Sequence, residues 1–554
     1  MAKLDASAVA ELLRELGHRS ILAGANPYRA RAYLKAADNL STLTVPLNVL
    51  VSKGELREIP GVGETIADLI EKLHLTGTHP SFEKLRRDIP AGVLEMLAVP
   101  GLRPEKILKL YRELGITSLD ELEAAVKADR LSGVKGFGPG FQRKVLTGLD
   151  ITRRTPGARH IHRAAELLAA AERHLARSEF GLTSITPAGD YRRGCELIAD
   201  LSLVACTQDE AGPRKLETGD LTVHFTDKKR YGITLLLATG SDAHLREFRN
   251  LARAKGMQLT TEGLMRKGKI IAAETEQSIY GAVGLPLIAP ELREGRGEIA
   301  MALAGKQPRL VRLNDVRGVL HAHTQASDGV NTLQEMTEAT RKRGYSYFGV
   351  ADHSQSAHYA GGLSIAEIES QHKEVDRLNA AYRGEFRVFK GIEADILADG
   401  SLDYTDDILA RFDFVVASIH SQFHLDKDAQ TQRLLRALGN PYTTILGHPM
   451  GRQLLRRPGY EFDIERVLAA CAKHRVAVEI NANPWRLDLD WRWHSRALEL
   501  GCMFSINPDA HSTSELDLTR WGVLIARKGG APKERVLNCG APEAVAKFFK
   551  RAGK

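Results

Sequence analysis

Long hydrophobic runs are absent from this 554-residue sequence. No stretch approaches the roughly 18 consecutive apolar residues that a membrane-spanning helix requires. The opening residues, MAKLDASAVAELLREL, mix both charge signs in an amphipathic pattern, whereas a secretory signal has a continuous apolar core. The sequence therefore predicts a cytoplasmic protein with no membrane partner.

Cysteine is scarce and follows no pattern. The five cysteines are Cys195, Cys206, Cys471, Cys502 and Cys539, and no two of them form a CxxC pair. This spacing argues against a disulfide framework and against a cysteine zinc knuckle. Any metal ion must therefore be held by histidines and carboxylates.

Charge and length set two further bounds. Lys and Arg number 77 and Asp and Glu 69, which leaves a net charge of +8. This modest excess fits a nucleic-acid partner but also occurs in proteins that never bind DNA. The length predicts several domains of roughly 100–200 residues each.

The first 150 residues read as short amphipathic helices separated by three glycine-containing turns. These turns are Ile59–Gly63 (IPGVG), Val99–Arg103 (VPGLR) and Val134–Gly138 (VKGFG). Helix-like stretches follow them, IADLIEKL, EKILKLYREL and FQRKVLTGL. An all-α N-terminal region is predicted.

Residues 155–300 mix helical patterns with β-like runs, which predicts a smaller α+β region. The β-like runs include LIADLSLVAC, DLTVHF and YGITLLLA. The composition changes over about 293–315, a segment that also contains a proline, and we interpret it as the linker to the next domain.

Beyond the linker, apolar runs of strand length recur. They lie at 316–320, 347–351, 386–392, 412–418, 443–447, 476–480 and 502–506. Amphipathic stretches of helix length separate most of them, as in βα units around a parallel sheet that is buried on both faces. About seven strands are close to the eight of a closed α/β barrel.

The histidines concentrate in this region, where 11 of the 19 lie beyond residue 315. Ligand-type side chains directly follow the strand-length runs: His321, His323, Asp352, His353, Glu393, His420, His448, Asp509 and His511, with Asp328 in the loop after the first run. The carboxyl ends of barrel strands converge on one mouth, so these side chains are expected to meet there.

The residue types predict a divalent metal centre. His321 and His323 are two residues apart on an extended segment, which places both imidazoles on one face, and Asp509 and His511 repeat the spacing. Imidazole with carboxylate suits zinc, manganese or iron better than calcium. A carboxylate such as Glu393 could bridge two ions roughly 3.5–4 Å apart, an arrangement that clamps a phosphate and activates water. Hydrolysis of a phosphate ester is the expected reaction.

The motif series LHAHTQASDGVNTL, GVADHS, GIEADIL, ASIHSQF, LGHPMGR, EINANPWRLDL and INPDAHS resembles that of the PHP domain fused to bacterial family X DNA polymerases. The resemblance implies a distorted (β/α)7 barrel and three divalent ions, Mn²⁺ or Zn²⁺ or Fe²⁺. It assigns one ion to His321, His323, Glu393 and Asp509, a second to Glu393, His420 and His448, and a third to Asp328, His353 and His511. Arg486 and Arg492 follow the EINANP run and could pair with substrate phosphate, although an exposed arginine is often only a solvated charge.

The turns of the N-terminal region resemble the helix-hairpin-helix motif, whose backbone N–H groups approach a DNA phosphate without reading sequence. The glycines expected to contact DNA are Gly61, Gly63, Gly101, Gly136 and Gly138. Arg103 stands where the middle motif usually has its second glycine. In the wider family the first of these helices can carry lysines that are able to form a Schiff base with an abasic sugar. Thr65 and Leu69 occupy those positions, so no lyase activity is expected.

The middle region resembles the palm and thumb of a family X polymerase, through PAGDYRRG, LIADLSLV, ATGSDAH and GLPLIAPELREGRGEI. That site needs three carboxylates to hold two Mg²⁺ ions, and the matching residues are Asp200, Ser202 and Thr222. The Gly-Ser pair that meets the triphosphate has become Gly189-Asp190. Arg192 and Arg193 are retained and can bind phosphate, but a Mg²⁺ site is not expected. The register of Thr222 is less firmly anchored than that of Ser202.

These resemblances divide the chain into a helical domain (1–85), a fingers-like region (86–150), a palm (151–235), a thumb (236–300), a linker (301–315) and the PHP domain (316–554). The leading hypothesis is a monomeric, nucleoid-associated, metal-dependent phosphodiesterase that trims or processes gapped or 3′-ended DNA in repair. Three alternatives stay open: a working repair polymerase with an attached nuclease, a protein that only grips gapped DNA, and a small-molecule phosphatase of the histidinol phosphate type.

Overall fold

The structure, a computed structural model, describes residues 3–43, 45–178, 180–208 and 215–550. The chain divides into two compact units. Unit 1 contains Met1–Ala304 with Leu455–Arg457, and unit 2 contains Gly305–Leu454 with Pro458–Lys554. None of the described helices has the length and apolar character needed to cross a membrane.

The N-terminal part of unit 1 is helical, as predicted. Its helices are α1 (Ala6–Leu22), α2 (Pro27–Leu40), α3 (Leu47–Lys53), α4 (Glu64–Thr76), α5 (Pro80–Asp88), α6 (Ala91–Glu95), α7 (Pro104–Leu114), α8 (Leu119–Lys127) and α9 (Pro139–Arg154). Helices α4, α7 and α9 each begin directly after one of the three glycine turns, which confirms the three helices expected there. Their apolar faces join two buried clusters, one around Leu13 and Ile70 and the other around Leu110 and Phe137.

The palm-like part of unit 1 is a helix-backed sheet. Its elements are β1 (Arg159–His160), α10 (Ile161–Ala176), β2 (Leu182–Pro187), α11 (Gly189–Arg192), β3 (Leu197–Ile198), β4 (Leu201–Thr207), β5 (Lys215–Thr218), β6 (Leu221–Thr226) and α12 (Tyr231–Thr239). Four strands form a sheet in the order β2-β4-β6-β5, in which β4 and β6 are parallel.

The expected strand at YGITLLLA is wrong, because Tyr231–Thr239 is helix α12. A short run that is apolar on every side has no amphipathic period, so its pattern cannot distinguish a buried strand from a buried helix. Tertiary packing decides the outcome here. Leu235 of α12 and Val204 of β4 belong to one buried cluster.

The remaining elements of unit 1 are α13 (Asp242–Ala254), β7 (Gln258–Leu259), β8 (Leu264–Arg266), β9 (Lys269–Ala272), α14 (Glu276–Ala282) and α15 (Glu298–Leu303). Strands β7, β8 and β9 form a small antiparallel sheet. Helix α15 occupies part of the segment that we interpreted as linker, and unit 1 continues to Ala304.

Unit 2 contains a parallel sheet with seven strands over the continuously described segment 305–550. The strands are β10 (Gly318–Val319), β11 (Tyr347–Val350), β12 (Arg387–Asp395), β13 (Phe414–Ser418), β14 (Thr443–Leu446), β15 (Ala477–Asn481) and β16 (Phe504–Asn507). All seven runs identified from the sequence are strands, which confirms that part of the prediction.

Helices follow most of these strands and cover the outside of the sheet. They are α16 (Leu333–Lys342), α17 (Ile365–Tyr382), α18 (Asp406–Leu409), α19 (Lys427–Gly439), α20 (Ile464–His474), α21 (His494–Leu500), α22 (Thr519–Lys528) and α23 (Pro542–Phe549). Strands pair in sequence order from β10 to β16, and a parallel bridge from Ala322 to Ala510 joins the two ends. The sheet is thus a nearly closed barrel, and the carboxyl ends of its strands surround one mouth.

Candidate metal centre

The barrel places the predicted ligand residues together at its mouth. His321, His353, His420, His448 and Asp509 each lie two or three residues beyond the last residue of a different strand. His323 and His511 lie two residues beyond His321 and Asp509. Because the strands are parallel and in register, residues separated by up to 190 positions in the sequence become neighbours.

Glu393 is the central carboxylate of this cluster. It lies within β12, is 1% exposed, and forms a parallel bridge with His353. Its Oε1 atom is 3.0 Å from Nε2 of His448 and 3.4 Å from Nε2 of both His420 and His321. Its Oε2 atom is 3.0 Å from Nδ1 of His353. One carboxylate therefore faces histidines from four other strand ends.

Two further carboxylates complete the cluster. Asp509 Oδ1 lies 3.1 Å from Nε2 of His323 and 3.6 Å from Nε2 of His321. Asp328 Oδ1 lies 3.3 Å from Nε2 of His511, 3.7 Å from Nε2 of His353 and 3.8 Å from Nδ1 of His323. All nine residues that the sequence singled out for metal thus border one connected site.

The ligand-type atoms fall into four overlapping groups, within each of which they lie no more than 4.8 Å apart. The groups are Glu393–His420–His448, His321–His323–Glu393, His323–Asp328–His353–His511 and His353–Asp395–His420. The first equals one predicted ligand set, the second is a predicted set without Asp509, and the third is a predicted set with His323 added. The fourth includes Asp395, to which the sequence analysis gave no role.

Asp395 could have been found from its spacing. It is two residues from Glu393 on the same strand, so both side chains point to the same face. Its Oδ1 atom accepts a 2.6 Å hydrogen bond from Nδ1 of His420. That bond leaves Nε2 of His420 directed at Glu393.

Glu479, in the middle of β15, is a second residue that the sequence analysis missed. It is 0% exposed and accepts a 2.7 Å hydrogen bond from Nδ1 of His321. The backbone N–H of His448 and the side-chain amides of Asn481 and Asn507 also donate to it, at 2.7, 3.2 and 3.1 Å. Glu479 thereby orients His321 so that Nε2 faces the cluster.

Asp352 also follows a strand, but its carboxylate binds neighbouring loop and helix residues and does not face the cluster of histidines. Its buried carboxylate accepts hydrogen bonds from Thr324 N and Oγ1, Ser327 Oγ and Gln371 Nε2, at 2.6 to 2.7 Å. Asp352 therefore fixes the loop that carries Asp328. Burial raises the pKa of Asp352, and these hydrogen bonds act against that rise.

The carboxylates at the centre of the cluster are held ionised. Burial by itself would raise the pKa of Glu393, but His420, His321 and His353 hold that pKa well below its usual value. Burial acts in the same direction on Asp509, and His321 is the strongest of the charges that hold its pKa well below normal. Both carboxylates are therefore available in their charged form at the centre of the mouth.

The pKa values of the histidines differ according to their neighbours. Burial lowers the pKa of His323 to about 4. Burial also favours neutral His420, but Glu393 and Asp395 outweigh it and raise the pKa of His420 to about 9. Protons on such histidines balance the carboxylates, and a divalent cation would displace them on binding.

Several buried polar atoms of the cluster make no hydrogen bond of good geometry within the described residues, even where an oppositely charged atom lies close by. They are Nε2 of His321, Nδ1 of His323, His353 and His448, and Oε2 of Glu393. A buried polar atom without a partner is costly unless something else satisfies it. A set of imidazole nitrogens and carboxylate oxygens in this state has the donor chemistry of a site for zinc, manganese or iron.

The two arginines singled out for phosphate have different surroundings. Arg486 is largely buried, with its Nε 3.6 Å from Oδ2 of Asp509. Arg492 donates to both oxygens of Asp490, at 2.9 and 3.0 Å, and its guanidinium lies 4.8 Å from the ring of Trp491. The structure thus brings Arg486 to the cluster and joins Arg492 to Asp490.

The glycine turns of unit 1 share one backbone conformation. Gly61, Gly101 and Gly136 have φ angles of +80°, +81° and +93°, a region that side chains disfavour. The last residue of each turn is the N-cap of the next helix and has an extended backbone. In the middle turn this residue is Arg103, with a φ angle of −77°. Arginine there costs no backbone strain. At Gly63 and Gly138, an added Cβ would meet nothing within 4 Å, so the backbone is open to an approaching group.

The palm residues are adjacent as the resemblance implies. Ser202 of β4 pairs in register with Thr222 of β6, and Asp200 is exposed just before β4. No carboxylate occurs on β4 or β6. Glu217 of the edge strand β5 pairs with Thr222 from the other side, and its side chain forms an ion pair with Lys215.

The two retained arginines of the palm form ion pairs with carboxylates of the same chain. Arg192 donates to both oxygens of Glu276, at 2.9 and 2.7 Å. Arg193 donates to Glu294 at 3.0 Å and also pairs with Asp190. The groups that would meet a triphosphate therefore have negatively charged partners within the chain.

Comparisons with known proteins match the order of these parts. Family models match the helix-hairpin-helix domain at residues 5–79, a SAM-like helix-hairpin-helix tandem at 93–140, the DNA polymerase beta thumb at 234–294 and the PHP domain at 320–483.

The relatives include a full-length protein and shorter proteins that match only part of this chain. The protein named DNA polymerase/3′-5′ exonuclease PolX of Bacillus subtilis (strain 168) is 34% identical over 98% of this chain and 99% of its own length. A probable phosphatase of Enterobacter sp. (strain 638) is 27% identical over 42% of this chain and 94% of its own length. A probable phosphatase of Thermoanaerobacter sp. (strain X514) is 26% identical over 39% of this chain and 88% of its own length.

Proposed function

The chain belongs to the family X DNA polymerases that carry a PHP domain, and on that premise we propose that it is a metal-dependent phosphodiesterase that removes or cleans nucleotides at DNA 3′ ends. The observation that carries this proposal is the buried cluster centred on Glu393, in which four histidines face one carboxylate. We assign divalent cations to the nine residues at the barrel mouth.

Bound cations would supply Lewis acidity at the phosphate and lower the pKa of water. The protein supplies the remaining parts of the reaction. Glu479 and Asp395 fix the orientation of His321 and His420 through hydrogen bonds to their Nδ1 atoms. Arg486 offers a guanidinium at the mouth that can hold a phosphate oxygen of the substrate. No protein nucleophile is needed.

Unit 1 would act as the DNA grip. The positive φ of Gly61, Gly101 and Gly136 turns the chain into the starts of α4, α7 and α9, where backbone N–H groups can bind phosphates without sequence readout. We further propose that the palm has lost nucleotidyl transfer, since Ser202 and Thr222 cannot replace carboxylates. Thr65 and Leu69 on α4 offer no amine for a lyase reaction.

Chelation of the full-length protein is expected to abolish release of nucleotides from a 3′-labelled oligonucleotide. Adding Mn²⁺ or Zn²⁺ should restore it, because the carboxylate–histidine cluster would again hold cations. Metal analysis of the purified protein and gel analysis of the products would test this. Undiminished hydrolysis in excess chelator would refute the proposed chemistry.

A small-molecule phosphatase is the second candidate, because the relatives named probable phosphatases align with about two fifths of this chain. Turnover of the oligonucleotide and of histidinol phosphate should be compared on the same metal-loaded preparation. We expect a higher kcat/KM for the oligonucleotide. The reverse order would favour the phosphatase, and no turnover of either would leave only a DNA-binding role.

Substitution of Glu479 is expected to weaken metal binding about 10- to 100-fold, the usual effect of losing a residue that orients a ligand. In Glu479→Gln, the new amide N–H₂ would face at least one of the donors now satisfied by the carboxylate. Titration of the metal-free protein against a chromophoric chelator measures the change. Glu543→Gln, at the exposed start of α23, is the matched control and should bind as the wild type does.

A further inference from the structure

Tyr359 is a large side chain that stands exposed beside the cluster. It is 72% exposed, yet its ring centroid lies 6.2 Å from that of His353 and 6.4 Å from that of His420. Most exposed tyrosines lie on surfaces without chemistry. This one borders two proposed ligands at the barrel mouth.

The turn that carries Tyr359 is held firmly. The backbone N–H of Ser356 donates to Asp403 at 2.7 Å, and that of Gln355 donates to the hydroxyl of Tyr404 at 3.1 Å. On the far side of the turn, Leu363 N–H donates to the carbonyl of His353 at 2.9 Å. A rigid backbone thus presents an exposed ring, so contact with a ligand would cost little conformational entropy.

The phenol of Tyr359 is neutral at pH 7, as that of tyrosine ordinarily is. Partial burial at the mouth raises the pKa of Tyr359, and the carboxylates of Asp395, Glu393 and Asp328 raise it further. The guanidinium of Arg486 acts on the same hydroxyl in the opposite direction. The mouth therefore offers both an uncharged aromatic ring and the guanidinium of Arg486, which is near enough to act on the Tyr359 hydroxyl.

We propose that Tyr359 is the platform on which the terminal nucleobase of an unpaired 3′ end stacks, while the adjoining phosphate meets the cluster and the guanidinium of Arg486. The proposal rests on the proposed function and names the part of the substrate that the site recognises. Every nucleobase has a π face, so an aromatic platform holds an unpaired end without reading its sequence. A phosphate ester without a base would leave the ring in water.

Kinetics on two oligonucleotides test this role. One ends in an ordinary 3′ nucleotide, and in the other a tetrahydrofuran replaces the terminal sugar and base, with the same scissile phosphate. Tyr359→Ala should lower kcat/KM on the ordinary end roughly 5- to 100-fold, the range that base–aromatic stacking supports, with much of the loss in KM. On the base-free end, the same variant should equal the wild type. Tyr359→Phe should behave as the wild type on both, because the ring and not the hydroxyl makes the contact.

A second measurement does not depend on hydrolysis. In chelator-treated full-length protein, 2-aminopurine at the 3′ terminus should lose fluorescence on binding to the wild type and to Tyr359→Phe, but not to Tyr359→Ala. Leu313→Ala is the control, because Leu313 is 45% exposed and precedes β10 at the opposite end of the barrel. It should quench as the wild type does.

The outcomes separate the two proposals. Equal losses on ordinary and base-free ends, or quenching that survives Tyr359→Ala, would overturn the stacking role while DNA hydrolysis stands. Wild-type protein that hydrolyses neither oligonucleotide would overturn the proposed function, and quenching would then still decide whether Tyr359 holds a base. Thermal unfolding of Tyr359→Ala should match that of the wild type, because the side chain is largely in solvent.

Discussion

Glu393→Gln is expected to lower hydrolysis at a DNA 3′ end by at least about 10³-fold. The substitution keeps the volume of the side chain but removes the charge that faces His448, His420, His321 and His353. One residue thereby serves two of the proposed ion positions. Its loss should release metal as well as activity, because an amide is a weak ligand for the divalent ions that suit this site.

Metal content and the rate of 3′-end release should be measured on the same preparations of wild type and variant. Glu385→Gln is the matched control, since it makes the same change at an exposed position two residues before the strand that carries Glu393. It should retain full metal content and full activity. A Glu393→Gln protein with undiminished turnover would show that the hydrolytic site lies elsewhere.

Primer extension is expected to fail on the wild-type protein with either Mg²⁺ or Mn²⁺. A two-metal transfer site needs carboxylates to hold its ions, and Ser202 and Thr222 supply none on the paired strands β4 and β6. Their absence should lower nucleotidyl transfer by several orders of magnitude relative to an intact palm. The ion pair of Arg193 with Asp190 should further oppose an incoming triphosphate.

Incorporation of a labelled nucleotide opposite a template base, followed on a sequencing gel, measures this. Asp200→Ala should leave the background unchanged and should not affect hydrolysis at the 3′ end. Template-directed incorporation that Asp200→Ala abolishes would contradict the proposed loss, and Glu217, which lies opposite Thr222, would then be the first carboxylate to examine.

The seven strands of unit 2 could be predicted from the sequence, because strands buried on both faces are short continuous apolar runs bounded by polar residues. The predicted cluster followed from the same property, since ligand-type residues directly after such runs must share the mouth of a parallel barrel. In unit 1, YGITLLLA shows where this reasoning stops. Its apolar run is as continuous as those of the strands, but packing against the palm sheet makes it helix α12.

The side chains that support the cluster were harder to predict from the sequence. Asp395 carried a usable signal, its two-residue spacing from Glu393 on one strand. Glu479 stood out only as a lone carboxylate within the apolar run 476–480, and the sequence did not indicate that it would accept hydrogen bonds from His321 and the backbone of His448. Arg486 and Arg492 looked equivalent in sequence, yet only Arg486 lies beside Asp509.

The sequence by itself determined the order of the parts, the strands of the barrel and the residue types at their carboxyl ends, because each of these depends on local pattern. Only the tertiary structure decided which atoms face each other: Glu393 toward four histidines, Glu479 behind His321, and the ring of Tyr359 beside His353. Those relations depend on strand register and side-chain rotamers, which are fixed when distant segments pack together and leave no trace in the local pattern of the chain.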